Sequence, residues 1–219
     1  IDIPRMWILP DFSPTSEPPE VVINLAEMRL FFYDAQGELI RSYPVGIGGV
    51  DTPTPTGDFR IREKVEDPVW TVPPELREKY GMSWIPAGDG NPLGAYWLGL
   101  DLSGYGIHGT NLAWSVGRLS TNGCIRLYPE DISQIFSQLG YGARVRIVYQ
   151  PVKFGMKNGE LLVEVHRDVY NRFDDLAAHA FRILQTRELT RRADMSKLRL
   201  ALQRQSGKPV NISAAPSRA

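Results

Sequence analysis

Gly106-Ile107-His108-Gly109-Thr110, followed after nine residues by Ser120-Thr121-Asn122-Gly123-Cys124-Ile125-Arg126-Leu127, decides how this chain is read. Its first part has the apolar centre of a short strand, and its second opens on Ser, Thr, Asn and Gly, the types that build turns and turn backbone N–H groups outward. Cys124 is the only cysteine in 219 residues. A lone cysteine is ordinarily a small buried hydrophobe. Here its neighbours are polar rather than apolar and periodic, and Gly123 removes bulk next to the sulfur. His108 is likewise flanked by Gly106 and Gly109, so backbone can approach the imidazole on both sides. A thiol works as a nucleophile through its thiolate, and an imidazole in reach can take that proton and later return one to a leaving group. The pair points to covalent chemistry.

The rest of the composition is ordinary for a globular protein: 42% hydrophobic, 23% charged, formal net charge zero. That balance argues against nucleic acid as a partner. The longest apolar patches, 21–23 and 30–33, fall far short of the ~20 residues of a membrane span. The chain starts at Ile1 with no basic-apolar leader, so it reads as a processed or truncated product. One cysteine makes no internal disulfide, and cysteine usage alone leaves the compartment open.

Working outward, residues 1–19 carry Pro4, Pro10, Pro14, Pro18 and Pro19 and read as an extended linker. Apolar stretches at 21–25, 28–33 and 38–45, broken by a turn at 34–37, predict an antiparallel meander. Residues 52–57 form a Thr/Pro/Gly loop ahead of the alternating strand 58–63. The Pro-, Gly- and Trp-rich stretch 64–96 shows little periodicity beyond a short helix over 74–80, and a loop that long suggests a lid. Its Trp70, Tyr80 and Trp84 are candidates to line a groove or to pack. Strands follow at 97–102 and 106–108. Pro129 then opens a helix with Ile132, Ile135, Phe136 and Leu139 on one face and Gly140 at its C-terminal cap, and a strand at 144–149 closes the unit. The expected organisation is a linker over 1–19, a catalytic domain over 20–150, a strand-and-helix extension over 151–206, and a disordered tail over 207–219. The extension should hold a strand pair near 152–156 and 161–166 and one helical stretch from Asp174 to about Gln205. Eight Lys or Arg between 182 and 208 stand against Glu188 and Asp194, a pattern that fits a solvated helix face or contact with an anionic polymer.

Acyl transfer needs a nucleophile, a base and donors for the developing oxyanion. Cys124 and His108 supply the first two, and the N–H groups of Asn122, Gly123 and Cys124 are candidates for the third. No carboxylate stands next to His108 in sequence, so its orienting partner is expected to be a main-chain carbonyl, that of Gly109.

These segments resemble the L,D-transpeptidase (YkuD-like) catalytic domain, whose pattern is a histidine, a gap, then Ser/Thr-x-Gly-Cys. Ile23-Asn24-Leu25, Arg29 to Tyr33, Val45-Gly46-Ile47-Gly48, Thr54-Pro55-Thr56-Gly57 and Asn91-Pro92-Leu93-Gly94 agree in order, so the resemblance covers about residues 20 to 150. It implies a mostly β fold, a sandwich or barrel with a short helix after the cysteine, here followed by an α-helical C-terminal extension. It also implies attack by Cys124 on the third residue of a peptidoglycan stem tetrapeptide, with loss of D-alanine and formation of a thioester. The acyl group then passes to another stem, giving a 3-3 cross-link, to a lysine of an outer-membrane lipoprotein, to a D-amino acid, or to water. Arg126, Thr121, Ser120 and Thr110 become candidates for holding substrate, with a structural salt bridge the competing role for Arg126. Tyr96, Trp97 and Trp114 are weaker candidates for contact with the stem peptide. Asn122 stands where many members have histidine, and Arg126 where one branch has asparagine; Gly-Cys-Ile-Arg resembles the branch of Gram-negative envelopes, which implies a periplasmic location. The linker resembles the segment that follows a LysM module.

The residue types alone also allow a cell-wall binding module without turnover, or a cysteine peptidase acting on ordinary protein. Zinc is a poor fit, because His108, Cys124, His166 and His179 lack the close paired spacing of zinc sites. No metal and no cofactor is expected.

Overall fold

Val21–Asn24 (β1) reads Val-Val-Ile-Asn and is buried at every position, an inner strand with a parallel neighbour on one side and an antiparallel neighbour on the other. The computed structural model describes residues 8–11 and 18–215, and the chain divides into two units, one of residues 14–148 and one of 1–13 with 149–219.

In the first unit, a one-turn 3-10 helix at Leu25–Glu27 ends on Met28 in the left-handed region (φ 51°) and returns the chain as β2, Arg29–Tyr33. Asp34 turns β2 into β3, Leu39–Pro44, its carboxylate accepting from the N–H groups of Gln36 and Glu38. The short β4, Ile47–Gly48, leads to β5, Gly57–Glu66, which pairs first with the strand at Arg144–Val148 and then, past an irregularity between Ile61 and Glu63, with the strand at Tyr96–Leu100. Bends of that kind let a long strand serve two parts of one curled sheet. β6 (Trp70–Thr71), α1 (Arg77–Tyr80) and β7 (Trp84–Ile85) fold the 64–96 stretch into a small hairpin. Then come β8 (Tyr96–Leu100), β9 (Gly106–His108), β10 (Leu119–Thr121), β11 (Ile125–Arg126), α2 (Pro129–Gln138) and β12 (Arg144–Val148). The main sheet has the order β11-β9-β8-β5-β12-β1-β2-β3, and β10 pairs with β4 apart from it.

The fold is mostly β, as expected, with the helix after the cysteine in place. The predicted meander exists locally in β1, β2 and β3, but the parallel insertion of β12 beside β1 is not a meander connection. α2 starts on Pro129 at its first position, with Glu130 and Asp131 in the first turn where the helix dipole favours acids, and buries Ile132, Ile135 and Phe136. Its far end differs from expectation. Instead of a left-handed Gly140, the Lys64 ammonium donates to the carbonyls of Phe136 and Leu139.

In the second unit, β13 (Val152–Lys157) and β14 (Glu160–Val165) are joined by Asn158-Gly159, both at positive φ (51° and 81°), the pair that a tight two-residue hairpin demands. α3 (Leu176–Thr186) and α4 (Met195–Arg204) begin on Asp175 and Asp194, each carboxylate capping two backbone N–H groups. Their Ala180, Leu184, Leu198 and Ala201 pack with Val152, Phe154, Leu161, Val163 and Ile212 in one core. Three expectations change here. The single helical stretch from Asp174 is broken by a 3-10 turn at Thr190–Arg192. The tail expected to be disordered from 207 instead forms β15, Val210–Asn211, on the edge of β14 and buries Ile212, with residues 216–219 outside the described ones. Of the expected linker, 1–7 and 12–17 lie outside the described residues, while Ile8 is buried: its N–H donates to Glu164 and its carbonyl accepts from Lys153. Lys153 and Glu164 are themselves almost fully buried and paired at 2.9 Å, and His166 bonds Glu164 at 2.6 Å. No helix among the described residues is long and apolar enough to cross a membrane.

Candidate active site

Two rows of residues cross one face of the first unit's sheet. Register aligns Val65 of β5, Trp97 of β8, His108 of β9 and Arg126 of β11 in one row. The next row holds Glu63, Gly99 and Gly106, and Cys124, one residue before β11 begins, lies level with Gly106. Paired residues share a face and residues two apart along a strand share it too, so Cys124 is a diagonal neighbour of His108 on the face that also carries Arg126.

The turn that presents Cys124 is braced by Thr121. Its hydroxyl accepts from the Gly123 N–H at 3.2 Å and donates to the Cys124 carbonyl at 2.6 Å. Gly123 has φ +106°, and a Cβ there would lie 2.5 Å from the Tyr105 ring, so both conformation and space require glycine. Cys124 is partly exposed and free, its sulfur 3.5 Å from the Gly104 carbonyl.

His108 is 2% exposed. Its Nδ1 lies 2.6 Å from the Gly109 carbonyl; a carbonyl only accepts, so Nδ1 carries the proton and the neutral ring keeps its lone pair on Nε2. Burial, and then the nearby Arg126 charge, lower the imidazole pKa to about 3, against the opposing pull of the Gly109 and Leu93 carbonyls. Burial also pushes the Cys124 thiol up, only partly offset by a backbone hydrogen bond from Gly106 and by Arg126. At neutral pH the resting pair is therefore thiol and neutral imidazole.

Arg126 donates from Nη1 to the Ser115 hydroxyl at 3.1 Å, while its buried Nε has no hydrogen-bond partner. Among the described residues no carboxylate pairs with it, which removes the salt-bridge alternative. Burial lowers its pKa, and the Tyr80 phenol and Cys124 oppose that shift.

The remaining expected residues divide. Gly109 serves as the acceptor for His108. The Gly123 N–H is spent on Thr121, so it does not point to an incoming oxyanion, whereas Asn122 stands exposed in the turn. Thr121, Ser120 and Thr110 were expected to hold substrate, but each hydroxyl is engaged internally. Ser120 donates to the Ser115 carbonyl at 2.9 Å, and Thr110 accepts from the Leu112 N–H at 2.9 Å. Thr110 also borders a cavity of about 410 Å³ lined by Asp67, Asp89, Asn91 and Asn111. Tyr96 packs on Phe136 (4.7 Å between centroids), and Trp114 is 64% exposed. Trp70 and Tyr80 pack edge to face at 4.9 Å. His166 and His179 belong to the second unit and bond or pack locally.

Residue patterns alone did not single out Ser115, which holds Arg126, or Tyr105, which packs on Gly123. The available signals were the Tyr105-Gly106 step before the histidine strand and the glycines at 99, 106 and 123 whose missing side chains leave room for rings.

Residues 18–147 match the family model described as the L,D-transpeptidase catalytic domain, YkuD. The chain is 34% identical to the protein named Probable L,D-transpeptidase ErfK/SrfK of Escherichia coli K12, over 98% of this chain and 72% of that one. It is also 34% identical to Probable L,D-transpeptidase YcfS of the same organism, over 97% of this chain and 70% of that one. With Probable L,D-transpeptidase YbiS it shares 34% identity over 76% of this chain and 55% of that protein.

Proposed function

Because the chain belongs to the L,D-transpeptidase catalytic-domain family, we propose that Cys124 is its nucleophile and His108 its base in acyl transfer from peptidoglycan stem tetrapeptides. As sulfur attacks the carbonyl of the third stem residue, His108 Nε2 takes the thiol proton and the negative charge moves to the carbonyl oxygen. The Cys124 N–H, with the neighbouring Asn122 N–H, stabilises that oxyanion, since Gly123 is committed to Thr121. Collapse breaks the amide, His108 returns the proton to the leaving nitrogen, and D-alanine departs from a thioester. An amine then attacks the thioester with His108 again as base, releasing the thiol and forming the new amide. The amine of a second stem gives a 3-3 cross-link and a lipoprotein lysine gives attachment, while water in that role makes the site an L,D-carboxypeptidase. This chemistry assigns the protein to the bacterial envelope, in the periplasm.

The observation that supports the reading is Arg126: a half-buried guanidinium with an unpartnered Nε, no carboxylate partner among the described residues, and a place on the face shared by thiol and imidazole. A buried charge left uncompensated costs several kcal/mol, of order 3–5 kcal/mol when one partner of a buried pair is removed. A substrate carboxylate bound in the fork supplies the missing partner.

The test is mass spectrometry. Incubation with a carbapenem, an electrophile that acylates a nucleophile of this kind, should add one drug mass to the intact protein and none to Cys124→Ala. Purified muropeptides should yield D-alanine and a cross-linked dimer. Turnover surviving in Cys124→Ala would overturn the assignment.

A further inference from the structure

We propose that Trp97 is a positioning residue for His108: its indole, seated on a floor of two glycines and tethered by Glu63, fixes the plane of the imidazole beside Cys124. The two rings stack, with centroids 5.8 Å apart and planes 29° from parallel. At its other edge the indole Nε1 donates to Glu63 Oε2 at 2.8 Å. Between these contacts it crosses Gly99 and Gly106, which face each other across β8 and β9. A Cβ on Gly106 would stand 2.6 Å from Cη2 of the indole, and one on Gly99 would stand 2.9 Å from its Nε1. Neither glycine has a positive φ, so what they provide is the slot.

The mechanism explains why His108 needs such a wall. Nδ1 donates to the Gly109 carbonyl and the Leu93 carbonyl also lies by the ring, but contacts of this kind hold a ring at its edge and leave its plane free to tilt. Over one turnover Nε2 must face first the sulfur and then the leaving nitrogen, so a rocking ring loses alignment at both steps, and a misplacement near 1 Å costs about 100-fold. The charged and titratable groups facing the imidazole are Arg126 and Cys124 on β11 and the turn before it; the Leu93 and Gly109 carbonyls complete the surround, and the Glu63 carboxylate faces the indole. Trp97 is thus the neighbour that restricts the ring without bonding to it.

The inference rests on His108 acting as base, so its test has one readout that needs no activity. In Cys124→Ala protein, NMR titration of the His108 imidazole should give a midpoint near 3, which rises toward 6.5 once Trp97→Ala admits water to the ring. In the active enzyme Trp97→Ala should lower kcat about 100-fold with KM within about twofold. Trp97→Phe, which refills most of the slot, and Glu63→Gln, which keeps an acceptor, should retain most of kcat and guard against a misfolded alanine variant. A raised KM with kcat unchanged would overturn the proposal by making Trp97 a substrate contact. An unmoved imidazole midpoint together with an unmoved kcat would reduce it to packing. A moved midpoint in a protein that releases no D-alanine from tetrapeptide would keep the positioning role and remove the proposed function instead.

Discussion

Cys124 and His108 rest uncharged, and that sets how the site responds to pH. Because the thiol is held above its usual range, iodoacetamide, which receives no help from the base, should alkylate Cys124 slowly at neutral pH and faster only as the pH climbs past the ordinary thiol range. With His108 as the proposed base, acylation by a carbapenem should stay nearly flat from pH 5 to 8, because the imidazole remains neutral down to about 3. The same shift has a stability sign. Between about 3 and 6.5 the unfolded chain protonates this histidine and the folded one does not, so its contribution is full above 6.5 and declines as pH falls toward 3. Urea unfolding at pH 4 and pH 7 should show a smaller difference in His108→Gln than in the parent. Arg126→Gln should raise KM for tetrapeptide about tenfold or more, the worth of a charge-assisted bond, and Arg126→Lys should recover only part of it because an ammonium lacks the fork. At this scale the sequence was informative about the proposed reacting pair: an isolated thiol in a polar turn and a glycine-flanked imidazole have few packing explanations, and the register places them on one face of the sheet. It was uninformative about hydroxyls. Ser120, Thr121 and Thr110 carry the same groups whether they bind substrate or brace a turn, and only the folded chain shows the bonds that they make to Ser115, Gly123 and Leu112.

At the scale of elements, the turn from β10 to β11 is the most constrained piece of the site. Gly123→Ala must bring a left-handed backbone angle and a methyl group into the Tyr105 ring, a strain of about 1–3 kcal/mol. It should lower thermal stability modestly and acylation rate severely, since the displaced backbone is the one that carries Cys124; stopped-flow acylation read beside a melting curve separates the two. Local strand and helix signals were readable because they depend on alternation and, for α2, on Pro129 at the helix start. Strand order was not. The pairing of Val21 with Val145 joins residues far apart in the chain, and no local pattern distinguishes it from the hairpin partner β2. The helical stretch after 174 hid its break for a related reason: Glu188 takes a positive φ of 56° without being glycine, so the sequence carried no punctuation there.

For the whole molecule, the second unit holds the feature that composition concealed most completely. Lys153 and Glu164 are polar residues in β13 and β14 at positions buried as deeply as Phe154 and Val163. Burial alone would raise the Glu164 pKa, but His166 and Lys153 outweigh it and leave the carboxyl below its usual range. Its contribution to stability is therefore present at neutral pH and lost as acid carries the solution down through that lowered value. Lys153→Ala should cost about 3 kcal/mol, because it removes the ammonium that balances the buried carboxylate and leaves only His166 and the Ile8 N–H on it, and chemical unfolding should register that loss.

Ile8 gives this pair a bearing on where the chain can be cut. The carboxylate accepts from its N–H and the lysine donates to its carbonyl, so the residue acts as a third member of the buried set, although it stands more than 140 positions before either. A fragment trimmed to begin at Pro18 would keep every strand around the thiol. It would also open a dry, charged socket to water in the C-terminal unit. Anyone shortening this protein for crystallisation or screening should expect stability to fail there first, and should leave Ile8 in place.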